Sequence, residues 1–274
     1  MLLTLRAEQT ATAVRVTLLQ TDIAWADSEA NRLHCDRLIA DLKEKPDLLV
    51  LPEMFSTGFA TNPEGIAERG EEPASLGWMK QKAGELGCAV AGSVATEPQA
   101  GEFRNRFFFV KPSGEATYYD KHHLFTYSGE HLRFSRGERR VVVEWQGWRV
   151  LLQVCYDLRF PVFSRNREDY DLALYVASWP ESRRDAWSIL LRARAIENQC
   201  YVVGLNRVGS DPSCVYSGDS AIVSPKGAVL AGSTGPTEQV LTACLSMDEL
   251  ARFRTKFPVL KDRDTIPPCS NDKL

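Results

Sequence analysis

Val150-Leu151-Leu152-Gln153-Val154-Cys155-Tyr156-Asp157-Leu158-Arg159-Phe160-Pro161 is an apolar run that ends in a cysteine and then turns abruptly polar. Val150, Leu151, Leu152 and Val154 read as a buried strand, and the polar residues and proline that follow cannot continue it. The thiol therefore falls where the strand leaves its sheet. Strand ends of α/β folds are where sites are built. Against this stands the plainer reading of a free cysteine as a small buried hydrophobe. Residues elsewhere in the chain decide between the two.

Upstream, residues 14–20 read as a first strand. Residues 25–45 read as an amphipathic helix, with Leu33, Leu38, Ile39 and Leu42 at helical spacing and Pro46 as its stop. The short apolar run 48–51 fits a strand covered on both faces and delivers Pro52-Glu53 at its end. A helix over 74–87 closed by Gly87, a strand over 88–94 and a hairpin of 103–110 with 115–120 follow, and Lys121 stands just beyond the hairpin. Residues 121–140, with three of the four histidines, lack a clean period and read as an ordered loop. A second hairpin, 141–145 with 148–154, leads to Cys155. Then come a helix from about 161, a strand over 172–178, a helix over 185–199, strands over 201–205, 220–224, up to 230 and 239–245, and a last helix over 247–256. The order of elements is nearly repeated after residue 141. Helices alternating with apolar strands imply covered sheets, and the doubling implies two similar layers packed together. The expected fold is a four-layer α-β-β-α sandwich in one domain, residues 14–256. Residues 1–13 read as a loose leader and 257–274 as a tail that lies along a neighbour.

Composition narrows the functional classes. The 274 residues are 44% hydrophobic and 25% charged, ordinary values for a globular chain. Thirty-three basic and 36 acidic side chains are mixed along the sequence, so no basic stripe offers itself to nucleic acid. The apolar runs are strand-sized, well short of the roughly 20 residues a membrane helix needs. Seven scattered cysteines without a Cys-x-x-Cys pair argue against a disulfide framework and a zinc knuckle, and for a reducing, cytoplasmic compartment. Six of the seven are expected to be packing residues.

Glu53, Lys121 and Cys155 thus each stand just past a strand. Their contexts, Leu51-Pro52-Glu53, Tyr119-Asp120-Lys121-His122-His123-Leu124 and Cys155-Tyr156-Asp157-Leu158-Arg159-Phe160-Pro161, resemble the three signature segments of the nitrilase, or carbon-nitrogen hydrolase, superfamily. The resemblance continues through Ser178-Trp179-Pro180, residues 193–199, Asn206-Arg207-Val208-Gly209 and Ser217-Gly218-Asp219-Ser220, and spans about residues 14–265. Within that superfamily, Met54-Phe55-Ser56-Thr57-Gly58-Phe59, Ser128-Gly129-Glu130-His131 and residues 256–262 are most similar to the omega-amidases.

The resemblance implies the α-β-β-α sandwich, a homodimer formed beside the nucleophile, and no metal or organic cofactor. It implies hydrolysis of the terminal amide of 2-oxoglutaramate or 2-oxosuccinamate to the 2-oxo diacid and ammonia. Cys155 would be the nucleophile that forms a thioester, Glu53 the general base and acid, and Lys121 with the Tyr156 backbone N–H the oxyanion donors. Glu130 matches the second glutamate that orients lysine and substrate. A 2-oxo acid carboxylate suits a planar guanidinium, for which Arg183 is the candidate, with Arg159, Arg133 and Arg207 as rivals. Trp179 and Phe59 would wall the pocket. The four catalytic types do not encode the leaving group, so another amidase, a nitrilase or an N-carbamoyl hydrolase fits them too. A binding protein that keeps the sandwich without catalysis is the alternative from another class.

Overall fold

Residues 13–264 are described by the computed structural model; the leader up to residue 12 and the tail from 265 lie outside the described residues. The strands, in chain order, are β1 (Ala13–Gln20), β2 (Leu48–Val50), β3 (Glu68–Arg69), β4 (Ala89–Gln99), β5 (Glu102–Val110), β6 (Ala116–Asp120), β7 (Val142–Trp145), β8 (Trp148–Val154), β9 (Leu172–Ala177), β10 (Tyr201–Asn206), β11 (Val208–Ser210), β12 (Val215–Ser217), β13 (Ala221–Val223), β14 (Val229–Gly232) and β15 (Gln239–Ser246). The α-helices are α1 (Ser28–Ala40), α2 (Ala74–Leu86), α3 (Pro161–Ser164), α4 (Arg184–Asn198) and α5 (Met247–Lys256).

Two large sheets carry thirteen of these strands, in the orders β15-β1-β2-β4-β5-β6, with β3 beside β4, and β14-β13-β10-β9-β8-β7, while β11 and β12 pair antiparallel in a small sheet of their own. In the first, β1, β2 and β4 run parallel and β5 and β6 antiparallel. In the second, β8, β9 and β10 run parallel and β13 and β14 antiparallel. The doubling read from the sequence is thus a repeated topology. One strand breaks chain order: β15, the last, pairs antiparallel with β1 from Ala13 opposite Ser246 to Gln20 opposite Gln239, taking the edge that β7 takes in the second sheet.

Successive side chains of a strand point to opposite faces, and this sorts the core. Leu48, Val50, Ala89, Ala91, Phe107 and Phe109 join one large cluster with Leu152, Val154, Leu172 and Val176 of the second sheet. Their neighbours Leu49, Leu51, Val90, Phe108 and Val110 face the other way, into a cluster with Leu76, Met79 and Ala83 of α2. Each such side chain is worth about 1.5–3 kcal/mol when fully buried. Trp187, Leu191 and Ala195 of α4 cover the second sheet. The arrangement is the expected sandwich of two sheets flanked by helices.

Several boundaries differ from those expected. Helix α1 starts after Asp27, whose carboxylate accepts the Ala30 N–H at 3.0 Å, because Ala26 adopts φ 56° and cannot be helical. Trp25 is thereby outside the helix, and Leu33, counted on its apolar stripe, is 52% exposed. Residues 121–140 contain two 3₁₀ turns, Thr126–Ser128 and Glu130–Leu132. Cysteine packing holds for Cys35, Cys88 and Cys200, which are buried, but Cys244 is exposed and Cys214 half-buried. The described part of the tail is fastened to its own chain: Leu260 is buried and Arg263 pairs with Glu168. No helix among the described residues is long and apolar enough to cross a membrane.

Candidate active site

Glu53, Lys121, Cys155 and Ser178 follow β2, β6, β8 and β9, and the sandwich brings these four strand ends together. Glu53 is completely buried and is reached from both sheets. Its Oε1 accepts Lys121 Nζ at 3.0 Å and Asn105 Nδ2 at 2.8 Å, while its Oε2 accepts the Ser178 backbone N–H at 2.7 Å. Glu130, equally buried, opens the second 3₁₀ turn after Gly129, which sits in the left-handed region. It accepts Lys121 Nζ at 3.1 and 2.9 Å on its two oxygens and the Phe125 N–H at 2.6 Å.

The Lys121 side chain is positioned by its backbone. The Lys121 N–H donates to the Asn105 carbonyl, and its own carbonyl accepts the Gly137 N–H. A Cβ at Gly137 would stand 2.1 Å from the Asp120 carbonyl oxygen, so only glycine lets the loop close here. One residue earlier, the Asp120 carboxylate takes a two-pronged pair from Arg106, its cross-strand partner. Burial works to lower the Lys121 ammonium, but Glu130 and Glu53 beside it win and hold it above the usual lysine range. Burial raises the Glu130 carboxyl, partly offset by Lys121.

Cys155 adopts φ 46° directly after the extended Val154, so the chain turns sharply at the thiol. A left-handed non-glycine residue costs on the order of 1–3 kcal/mol and persists only where its surroundings over-determine it. Asp157 supplies that constraint. Its buried carboxylate accepts the Val154 N–H at 2.9 Å, the Tyr119 hydroxyl at 2.8 Å, and His123 through both its backbone N–H and Nδ1, at 2.9 and 2.8 Å. Arg194 of α4 adds a bond to the Leu158 carbonyl at 2.7 Å. We expect Asp157→Asn, which exchanges acceptors for donors, to cost about 2–4 kcal/mol in urea denaturation. The same change should lower kcat by roughly 10- to 100-fold through a displaced thiol, and an unchanged midpoint with full turnover would refute this placement.

Burial pushes the Cys155 thiol well above the ordinary range; the Glu53 carboxylate raises it further, and Lys121 opposes. The resting sulfur is therefore a thiol next to a carboxylate. Its nucleophilicity has to come from proton transfer during attack rather than from a preformed thiolate. Tyr156 is second in the 3₁₀ turn Cys155–Arg159, whose first N–H groups have no partner inside the turn.

A cavity of about 660 Å³ opens above these residues, with Cys155, Lys121 and Tyr156 in its lining together with Trp25, Phe59, Trp179, Arg159 and Arg183. Phe59 places its ring 5.1 Å from Lys121 Nζ. Trp179 packs against Trp187, carries the Arg159 guanidinium 4.8 Å over its ring, and donates its indole N–H to the Arg183 carbonyl at 2.8 Å. The Arg183 guanidinium lies over Phe125 and Tyr127. Neither Arg159 nor Arg183 has a carboxylate partner among the described residues. The other two arginines considered are spent elsewhere: Arg133 pairs with Glu64 at the surface, and the buried Arg207 with Asp22.

Glu53, Lys121, Glu130, Cys155, Tyr156, Phe59, Trp179 and Arg183 are thus brought together here, with Arg159, whereas Arg133 and Arg207 are not. Those not anticipated are Asn105, Asp157, the Ser178 N–H and the half-buried Cys214, which lines the cavity with Asp211 and Tyr216 instead of serving only as packing. His123 is held by Asp157, and His122 Nδ1 meets the Gly137 carbonyl. No group of three or more metal-binding side chains occurs among the described residues.

The carbon-nitrogen hydrolase family model matches residues 15–255, nearly all of this two-sheet, helix-covered fold, and the chain belongs to that family. Among individual relatives, the omega-amidase YafV of Escherichia coli K12 is 48% identical over 92% of this chain and 97% of its own length. The 2-oxoglutaramate amidase of Bacillus subtilis is 34% identical over 90% and 96%. A solved CN-hydrolase superfamily protein from Xanthomonas campestris, with an arsenic adduct in its active site, superposes with a TM-score of 0.89 at 42% identity, covering 93% of this chain and 98% of that one.

Proposed function

We propose that this enzyme is an omega-amidase: it hydrolyses the terminal carboxamide of a small 2-oxo acid, 2-oxoglutaramate or 2-oxosuccinamate, through a Cys155 thioester. The observation that carries the reading is the Cys155 thiol beside the buried Glu53–Lys121–Glu130 cluster, on the floor of a cavity whose wall holds two uncompensated guanidiniums. The amidase names of relatives that match nearly the whole chain support it.

In this mechanism Cys155 Sγ attacks the amide carbonyl carbon as its proton passes to Glu53. The oxyanion that forms is met by Lys121 Nζ and the Tyr156 N–H, donors already in place and screened from water. Collapse breaks the carbon–nitrogen bond. Glu53 returns the proton to the departing nitrogen, and ammonia leaves. Glu53 then takes a proton from water, whose oxygen attacks the thioester, and the thiol is regenerated with release of the diacid. Glu130 stays on Lys121 throughout and keeps the ammonium in place. Every step is carried by these side chains, and no metal or cofactor is called on.

Arg183, with Arg159 beside it, takes the substrate carboxylate, and Phe59 and Trp179 bound the carbon chain. A panel of 2-oxoglutaramate, 2-oxosuccinamate, simple aliphatic amides, nitriles and N-carbamoyl amino acids, compared by kcat/KM, tests this assignment. The 2-oxo acid amides should lead. Arg183→Met should cost them about 10- to 100-fold, mostly in KM, with little effect on an uncharged amide. A nitrile or carbamoyl compound as best substrate would overturn the reading. We also propose a cytoplasmic homodimer. It is supported by free cysteines throughout the described chain and by Ile189 and Ile196, seven residues apart on one face of α4 and 66% and 52% exposed. Residues 257–264 of the tail lie beside that interface, and residues 14–256 form one catalytic domain.

A further inference from the structure

Among the described residues, two side chains donate to both Glu53 and Glu130: Lys121 and Asn105. They do so on the same two oxygens. Lys121 Nζ is 3.0 Å from Glu53 Oε1 and 3.1 Å from Glu130 Oε1; Asn105 Nδ2 is 2.8 and 3.3 Å from the same atoms. One charged donor and one neutral donor thus bracket a pair of carboxylate oxygens. Asn105 is on β5, only 1% exposed, and its Oδ1 is buried without a hydrogen-bond partner. A buried orphan acceptor is unusual. Turning the amide over would satisfy nothing, since it would put that oxygen against two carboxylates.

Two carboxylates that close together, sharing a single ammonium, favour uptake of a proton between them, as like charges in one site do. A proton held there would disable Glu53 as a base. The two N–H groups of Asn105 reach the same pair of oxygens and supply hydrogen bonds in the proton's stead, without adding charge. The titratable and charged groups facing the pair are Lys121 from the end of β6 and Cys155 from the end of β8. Arg106, the next residue on β5, is engaged by Asp120.

We propose that Asn105 is a positioning residue for the proton shuttle: its amide keeps Glu53 and Glu130 free of a shared proton and keeps Glu53 aligned on the Cys155 thiol. This rests on the reading of Cys155 and Glu53 as nucleophile and base. The test is the pH profile of kcat/KM for ammonia release from 2-oxoglutaramate by the full chain, in Asn105→Ala, Asn105→Ser and Asn105→Gln, with Cys155→Ala as reference. In the Ala and Ser variants, kcat/KM at neutral pH should fall by about 10- to 100-fold, the size of one lost hydrogen bond to a charged group. The acid limb should move up by about one pH unit, because loss of a donor to the ionised form favours protonation. KM should change little. Gln, which restores the donor on a longer stem, should bring the limb part of the way back. The serine variant carries the same expectation if alanine does not fold, and thermal melts of each identify the folded ones. A fall that is uniform at every pH, with the limb unmoved, would make Asn105 merely structural and overturn the proposal. Activity remaining in Cys155→Ala would instead remove the nucleophile reading on which it stands.

Discussion

Cys155→Ala is expected to abolish ammonia release from 2-oxoglutaramate, with a loss of about 10⁴-fold or more in kcat, because Cys155 is the thiol that stands beside Glu53 and Lys121. The fold should survive. Sγ is one buried atom, and the strained turn at φ 46° is held by Asp157 and Arg194 rather than by the sulfur. The variant should therefore still bind substrate. Mass spectrometry of acid-quenched turnover gives the second readout: the wild type should carry an adduct of substrate less ammonia on the peptide containing Cys155, and the variant none. Retention of even a tenth of the activity would eliminate Cys155 as nucleophile.

Lys121→Met should have the largest combined effect on activity and stability. It removes an oxyanion donor, worth on the order of 10²- to 10³-fold in kcat. It also strips two completely buried carboxylates of the one cation that pairs with them among the described residues, and breaking a buried ion cluster from one side costs about 3–5 kcal/mol. The pH dependence follows from the sign of the linkage. Burial already raises Glu130, and without Lys121 nothing cationic opposes that rise. The folded variant then binds more protons than the unfolded chain at intermediate pH, so its stability falls as pH rises. Melting temperature of Lys121→Met should increase from about pH 8 to about pH 5, a trend opposite to ordinary acid destabilisation. A variant as stable as the wild type at pH 8 would mean that the cluster is not held by this cation.

How much of this was readable beforehand depends on the range of the interaction. The strand ends were legible because each is a local event: an apolar run, then a residue type that a buried strand does not tolerate, as at Leu51-Pro52-Glu53 and Val154-Cys155. The apolar spacing predicts a longer α1 because it runs on past both ends, whereas the helix start is set by the backbone at Ala26 and the carboxylate of Asp27. Asn105 left no mark, since an asparagine within a strand looks like any polar residue until two carboxylates arrive on either side of its amide. Among the arginines, sequence offered four candidates of equal chemistry. Only packing separated them, by giving carboxylates to Arg133 and Arg207 and leaving Arg159 and Arg183 at the cavity.

By itself, the sequence determined the alternation of covered strands and helices, the doubled order of elements, and the four reactive residues with their signature neighbours. These depend on periodicity and on contacts a few residues apart. The tertiary structure decided that β15 returns to pair with β1, that Ser178 of one sheet donates to Glu53 of the other, and that Asp157 locks the turn at Cys155 to His123 and Tyr119. Such pairings join residues 34 to more than 200 positions apart. They arise only when two sheets stack face to face and deliver four strand ends to one point, a condition that no local pattern encodes.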